Sequence, residues 1–225
     1  MKDFFREYIE HLRALVSWRS FILLCIAVVS TAYLVLSGGD WSYLVAVEHE
    51  VPMALLFIAD ITGFLLPILL PLSLYIFARV QKSDVLHFYA RAVTQCVLLG
   101  FTLSTSIKIF TGRTSPPHHH DGVGRAFVDN SHDFHFGFLR EQIIGGWPSS
   151  HATIACALAM LLLLILPPRR YIHFLISALA TFISIGVTFG FHWLSESVAG
   201  ACLGAAIGST VGLYYREKLQ ERMLL

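Results

Sequence analysis

Long apolar runs separated by short polar stretches dominate the chain. Six runs are long enough to cross about 30 Å of hydrocarbon as helices, and they lie near residues 20–37, 52–76, 91–108, 150–167, 173–191 and 197–215. The pattern therefore predicts an all-α polytopic membrane protein with six transmembrane helices. A hydrophobic content of 56% with only 14% charged residues agrees with this class and excludes an ordinary soluble domain.

The first 19 residues follow a different pattern, in which apolar side chains recur at helical spacing with charged side chains between them. This pattern predicts an amphipathic helix at 1–19 that lies on the cytoplasmic membrane surface before the first span. An uninterrupted apolar run follows without a small-residue cleavage site, so we do not interpret the segment as a cleaved signal peptide. We expect residues 1–225 to form a single membrane domain.

The basic residues indicate how the helices are oriented. Twelve of the 16 Lys and Arg lie before the first span, after the second, after the fourth or at the chain end, and the positive-inside rule assigns that side to the cytoplasm. The other four are Lys108, Arg113, Arg125 and Arg140, around the connection between the third and fourth spans. A basic cluster on the disfavoured side indicates an anion site. We therefore expect 109–148 to be an extracytoplasmic loop that carries part of a functional site.

A polar loop turns into the fourth apolar run at Trp147-Pro148-Ser149-Ser150-His151. Proline is tolerated in the first turn of a helix, and a serine hydroxyl can cap the free backbone amides there. Free amides and the partial positive charge of a helix start favour a bound anion, and the histidine would stand beside it as a proton donor. The plainer alternative is a capped helix with one histidine at the membrane surface.

Two further segments place reactive side chains at the same predicted membrane side. Lys108 and Arg113 lie on either side of a helix stop at Gly112 and can converge on one phosphate, or they can be two cations that reach for the interface. His192 and Glu196 are four residues apart, so that on a helical turn the carboxylate lies beside the imidazole. Such a carboxylate orients the ring as a nucleophile or base, although an ordinary surface pair has the same spacing.

Asp60 lies within the second apolar run, where an unpartnered acid is costly. We predict that Asp60 hydrogen-bonds or neutralises Lys108 or Arg113 behind the site. A locally satisfied polar group near Thr62 is the alternative. Either arrangement would lower the cost of the carboxyl group in the membrane.

The sixth apolar run carries glycine at every fourth position, at Gly200, Gly204, Gly208 and Gly212. Residues four apart lie on one face of a helix, so these glycines form a smooth stripe. The stripe predicts close packing against another helix and no chemistry of its own.

The loop before the fourth span is rich in histidine, at His118, His119, His120, His132 and His135. Their spacing matches no defined metal geometry, so we favour a polar lid over a metal site. Phe134, Phe136 and Phe138 could instead dip the loop into the lipid interface, which would suit a substrate with acyl or prenyl chains.

Together, these residues resemble the type-2 phosphatidic acid phosphatase superfamily, which includes lipid phosphate phosphatases, undecaprenyl pyrophosphate phosphatases and glucose-6-phosphatase. The resemblance covers about residues 50 to 215. The family's motifs are Lys, six residues, Arg-Pro; then Pro-Ser-Gly-His; then Ser-Arg, five residues, His, three residues, Asp. Lys108 and Pro116 fit the first motif with the arginine two positions early at Arg113, Ser150 replaces the glycine of the second, and Glu196 replaces the aspartate of the third. The Ser-Arg pair of the third motif falls on Ile185 and Gly186.

The resemblance implies a role for each residue. His192 would attack phosphorus and form a phosphohistidine, Glu196 would orient it, and His151 would protonate the leaving group and later activate water. The phosphate oxygens would be held by Lys108, Arg113, Ser149 and Ser150. No metal or other cofactor is required. Arg125, Arg140 or a loop histidine could replace the arginine that the third motif lacks.

The implied function is that of an integral membrane lipid phosphatase acting on a phosphomonoester or pyrophosphate, on the periplasmic side of a bacterial inner membrane. Candidate substrates are undecaprenyl pyrophosphate, phosphatidylglycerol phosphate, phosphatidic acid and lipid A phosphate. The alternatives are a lipid-to-lipid phosphotransferase with the same site and a catalytically inactive lipid-binding membrane protein. We expect the bilayer and a lipid phosphate as partners, no nucleic acid, and leave the oligomeric state open.

Overall fold

The computed structural model describes residues 2–48, 50–117, 128–140 and 146–223. Over these residues the chain forms α1 (Lys2–Ala14), α2 (Trp18–Leu36), α3 (Gly39–Glu48), α4 (Met53–Gln81), α5 (Asp84–Thr111), α6 (Ser150–Ile165), α7 (Arg170–Gly186) and α8 (Leu194–Met223). One turn of 3-10 helix, Val187–Phe189, follows α7. The prediction of an all-α polytopic membrane protein is confirmed.

Five of these helices, α2, α4, α5, α7 and α8, are long and apolar enough to cross a membrane. The remaining predicted span, the fourth at 150–167, corresponds to α6, which is apolar but has only 16 residues. At 1.5 Å per residue α6 is about 24 Å long, shorter than the hydrocarbon core. The amphipathic helix predicted at the N-terminus is present as α1.

One short helix lies between the first two predicted spans, where the apolar pattern predicts no element. The stretch between the first two spans forms the helix α3, with Asp40 in its first turn. An acidic side chain is favourable at a helix start, and the Asp40 side chain is fully buried. This short helix depends on partners from distant parts of the chain, which the local pattern does not show.

The glycine stripe of α8 packs directly on α6, as predicted. A Cβ added at Gly204 would overlap the backbone oxygen of Thr153, and one added at Gly208 would overlap that of Ala157. Glycine is therefore required for the two helices to approach this closely. This packing aligns the starts of α6 and α8 side by side, where the candidate site lies.

Candidate functional site

The candidate site lies where the end of α5 meets the starts of α6 and α8. Lys108 is in the last turn of α5, His151 is in the first turn of α6, and His192 lies two residues before α8. The ring centroids of His151 and His192 are 6.0 Å apart, with 59° between the ring planes. The structure thus brings together two histidines that are far apart in the sequence.

His192 is held by Glu196. Its Nδ1 lies 2.6 Å from Oε2 of Glu196, and both side chains are buried. A carboxylate only accepts hydrogen bonds, so Nδ1 of His192 must carry the hydrogen. The second ring nitrogen, Nε2, is then the atom available for nucleophilic attack.

Arg113 lies in a buried network behind this pair. Its Nη2 donates to Oδ2 of Asp40 at 2.7 Å and to the backbone oxygen of Ser131 at 2.6 Å. Its Nη1 donates to Oγ of Ser195 at 2.6 Å and lies 3.8 Å from Oε1 of Glu196. Asp40 also accepts from the backbone amide of Ser195 at 2.8 Å. The network therefore fixes the start of α8, and with it the carboxylate that orients His192.

A helix stop directs Arg113 into the interior. Gly112 ends α5 in the left-handed conformation, with φ of 48°, which glycine adopts without strain. The guanidinium then lies over the rings of Phe134 and Trp193, at 4.8 and 5.5 Å from their centroids. Such contacts favour a cation without using its hydrogen-bond donors.

The start of α6 corrects one detail of the predicted anion nest. The backbone amide of Ser149 was expected to hold phosphate, but it donates to the backbone oxygen of Glu196 at 3.0 Å. The Ser149 hydroxyl caps α6 by accepting from the amide of Ala152 at 3.4 Å. The hydroxyls of Ser150 and Ser104 are hydrogen-bonded at 2.9 Å. Since the first amides of a helix lack partners within it, those of Ser150 and His151 are the better candidates for an anion.

Lys108 belongs to the same cluster. Its side chain is buried, and it interacts electrostatically with Glu196 and His151. A buried ammonium near His151 and Glu196 places positive charge at this end of the helices. Lys108 therefore lies in the same part of the molecule as the two histidines.

The predicted partner of Asp60 is wrong. Oδ1 of Asp60 lies 3.4 Å from Nε2 of His151, whereas the carboxylate bound to Arg113 is Asp40. The direction in which a helix presents its acid depends on how the helices pack, and α4 turns Asp60 toward α6. Asp60 consequently belongs to the site itself.

The arginine of the third motif has no room in this fold. At its position, Gly186, an added Cβ would overlap the Cβ of Ala59 on α4. Of the replacements considered above, Arg140 is exposed, with its side chain beside Gly137. Arg125 and His118 to His120 lie outside the described residues.

Within the part of the chain that the structure describes, no group of three or more metal-ligating side chains is found. His132 is exposed and pairs only loosely with Asp133, at 3.8 Å. Phe136 and Phe138 of the same loop are 72% and 66% exposed, so they are free to contact a lipid surface.

Sequence reasoning missed Asp40 and Ser195 and gave Asp60 the wrong partner. Asp40 follows the first apolar run as an isolated acid, and no spacing links it to Arg113. Ser195 is next to Glu196, but its importance rests on its contacts with Asp40 and Arg113. No local signal in the sequence identifies either residue.

Fold and site together define a polytopic helical membrane protein with a paired-histidine centre. A family model of the PAP2 superfamily matches residues 88–219, more than half of the chain. The chain belongs to this superfamily, whose members are phosphatases, and is a membrane phosphatase of the PAP2 type. No curated protein and no solved structure matches it. The matched residues include both histidines, whereas Asp40 and Asp60 precede them.

Proposed function

We propose that this protein hydrolyses a phosphomonoester or pyrophosphate of a lipid through a phosphohistidine on His192. The observation that carries the proposal is the pair of histidine rings 6.0 Å apart, one of them oriented by a buried carboxylate. We infer that the phosphoryl group binds between the two rings, with the attacking nitrogen on one side and the leaving oxygen on the other. Phosphoryl transfer favours such an in-line arrangement.

The reaction takes place in two steps in this proposal. Nε2 of His192 attacks phosphorus while the bond to the leaving oxygen breaks, and His151 gives its proton to that oxygen. Water then gives a proton to His151 and attacks the phosphohistidine, which releases phosphate and restores His192. The Glu196 carboxylate stabilises the positive charge on His192 in both steps.

In this proposal the phosphate oxygens are held by Lys108, Ser150 and the free amides at the start of α6, whereas Arg113 and Ser149, which the sequence also predicts as phosphate ligands, act from behind the site. Lys108 and the first amides of α6 supply the donors closest to the histidines. Arg113 also supports Glu196 through Ser195. No metal is needed, because the cations and amides of the chain neutralise the charge that develops.

The substrate we propose is a lipid phosphate reached from the periplasmic side of a bacterial inner membrane. The apolar helices and the exposed Phe136 and Phe138 support a lipid-facing site. The excess of Lys and Arg in the other connecting segments supports the orientation, with 109–148 outside and 1–19 on the cytoplasmic surface. Undecaprenyl pyrophosphate, phosphatidylglycerol phosphate, phosphatidic acid and lipid A phosphate are the candidates.

The test is phosphate release by the purified protein in detergent, from each of these lipids and with EDTA present. We expect release from at least one lipid, with loss of at least about 10³-fold in His192→Ala, because the nucleophile is removed. His173→Ala changes a histidine near the start of α7 and is the matched control, expected to keep activity. Activity that survives in His192→Ala contradicts the nucleophile, and activity abolished by EDTA contradicts a metal-free reaction.

The same assay separates the alternatives. With labelled undecaprenyl pyrophosphate and an acceptor lipid, labelled lipid in place of free phosphate identifies a phosphotransferase. Binding of anionic lipid without turnover of any candidate identifies the inactive lipid-binding protein.

A further inference from the structure

Asp60 occupies a position in the site that the family match does not cover. Its carboxylate on α4 lies 3.4 Å from Nε2 of His151, and the side chains are 31% and 23% exposed. Nδ1 of His151 is buried and has no hydrogen-bond partner among the described residues. The proton that His151 donates must therefore be on Nε2, the nitrogen that faces Asp60.

Without the Asp60 carboxylate, the surroundings of His151 would disfavour the protonated ring that a general acid needs. The other groups that act on the ring are Lys108 of α5, which is a cation, and His192 before α8, which becomes one when protonated. Both disfavour a charged imidazolium at His151, as does burial. Glu196 lies closer to His192, to which it is hydrogen-bonded. Asp60, whose charge also acts on His192, is the carboxylate that pairs with Nε2 of His151.

The backbone of α4 is shaped for this contact. A Cβ added at Gly63 would lie 2.7 Å from Cδ2 of His151 and 2.9 Å from Cγ2 of Ile183. Asp60 and Gly63 are three residues apart and thus share one face of the helix. The missing side chain at Gly63 lets α4 approach the ring closely enough for Asp60 to reach Nε2.

We propose that Asp60 is the positioning residue of His151, holding the imidazole protonated as the general acid of the reaction. This inference rests on the function proposed above. The site then contains two histidine–carboxylate pairs with different tasks: Glu196 keeps His192 nucleophilic, and Asp60 keeps His151 acidic. At 3.4 Å the carboxylate acts mainly through its charge, so that the Nε2 proton stays available to the leaving oxygen. After transfer His151 is neutral, and it regains a proton from the attacking water.

The experiment compares two leaving groups in wild type and Asp60→Asn over pH 5 to about 9. Phosphatidic acid has an alkyl leaving oxygen that needs a proton, whereas 4-nitrophenyl phosphate releases a stable anion. We expect Asp60→Asn to lower kcat about 10²-fold or more for the lipid and less than about threefold for the aryl ester. The basic limb of the pH profile of kcat for phosphatidic acid should shift to lower pH by about one unit or more.

Two variants complete the design. Gly63→Ala keeps the carboxylate but moves α4 away from the ring, so a milder loss with the same preference for the lipid is expected. Asp84→Asn removes a carboxylate at the opposite end of α5 from Lys108, about 36 Å away, and should change neither substrate. Equal losses on both substrates in Asp60→Asn, or no loss, would overturn the proposal.

A measurement made without substrate distinguishes this inference from the proposed function. NMR of ring-labelled histidine follows the titration of His151 in detergent without any substrate. We expect its midpoint to lie at lower pH in Asp60→Asn than in wild type, and an unchanged midpoint overturns the pairing. If the midpoint moves but wild type releases phosphate from no substrate, the proposed function fails, and the acid role of the pair fails with it.

Discussion

The part of the chain before the family match and the matched part bring opposite charges to the contacts between them. Four ion pairs between described residues join the two parts, and all four have their carboxylate in the first part. These pairs are Glu7 with Arg91 and Lys218 at 2.8 and 2.9 Å, Asp40 with Arg113 at 2.7 Å, and Asp60 with His151 at 3.4 Å. The matched part contains both histidines, Lys108 and Glu196, and the first part supplies carboxylates that pair with Arg113 and His151.

This difference explains why the two parts are unequally visible in the sequence. His192 and Glu196 act within one helical turn, so their spacing is a pattern. Asp40 and Asp60 contact residues that are distant in the sequence, so no fixed spacing relates either residue to its partner. Helices α3 and α4 therefore contribute side chains to the candidate site, through Asp40 and Asp60.

The largest stability effect is expected from Asp40→Asn. This change leaves the buried Arg113 without its charge partner, and breaking a buried pair in this way costs about 3 to 5 kcal/mol. Since Ser195 also loses an acceptor, the start of α8 loosens and activity should fall with stability. Thermal unfolding in detergent and phosphate release together measure the two losses.

A double variant decides whether Asp40 serves the site or only the fold. Arg113→Met combined with Asp40→Asn removes the unpaired buried charge, so much of the stability should return. Activity should stay low, because Glu196 still lacks its support. Recovery of activity along with stability would reduce Asp40 to a packing role.

A smaller effect, dependent on pH, is expected from Glu7→Gln. Burial raises the pKa of the Glu7 carboxyl, but the hydrogen bond from Lys218 and the charges of Arg91 and Lys218 outweigh it and hold the pKa below its ordinary value of 4.5. A carboxyl group whose pKa is lowered by folding stabilises the fold above its unfolded pKa and loses that contribution as the pH falls through the folded value. Wild type should therefore exceed Glu7→Gln by about 1 to 2 kcal/mol at pH 7.5, allowing for the partly exposed cations.

The same comparison at a pH well below 4.5 should show a smaller difference, since the contribution of Glu7 is lost as the pH falls through its lowered pKa. Thermal unfolding at both pH values measures the change. A difference that is constant with pH would mean that Glu7 stabilises α1 by packing and not by charge.

The smallest effect is expected where the two parts meet without charge. The hydroxyls of Tyr43 on α3 and Thr188 after α7 are hydrogen-bonded at 2.7 Å. Tyr43→Phe removes one neutral hydrogen bond, with an expected loss of about 1 kcal/mol and unchanged kcat. A loss as large as that of Asp40→Asn would show that charge is not what distinguishes the contacts between the two parts.

The sequence predicts the features of this protein that are local. Apolar runs predict the six apolar helices, a four-residue spacing predicts the contact of His192 with Glu196, and the glycine stripe predicts the packing of α8. The partner of Asp60 was wrong because a carboxyl group within a span has several possible neighbours, and only the rotation of α4 selects one. Helix α3 was missed because it is short and its buried Asp40 finds its partners on α8 and after α5.

The arginine that the third motif lacks is a second feature that the sequence alone does not explain. The sequence shows that it is missing, but not why glycine replaces it. At Gly186 the chain has to pass Ala59 of α4 without a side chain. Close packing of α4, which also brings Asp60 to His151, is therefore incompatible with an arginine at this position.

The contact of α8 with α6 has one more consequence. His151 and Glu196 begin two helices whose backbones touch along their length, so neither can slide or tilt without lifting glycines off carbonyl oxygens. Gly212 is sixteen residues beyond Glu196, about 24 Å along α8. A larger side chain at Gly212 would nevertheless tilt α8 against α6 and so displace the start of α8. The separation between His151 and the start of α8 is thus set in part by glycines near the other end of the helix pair.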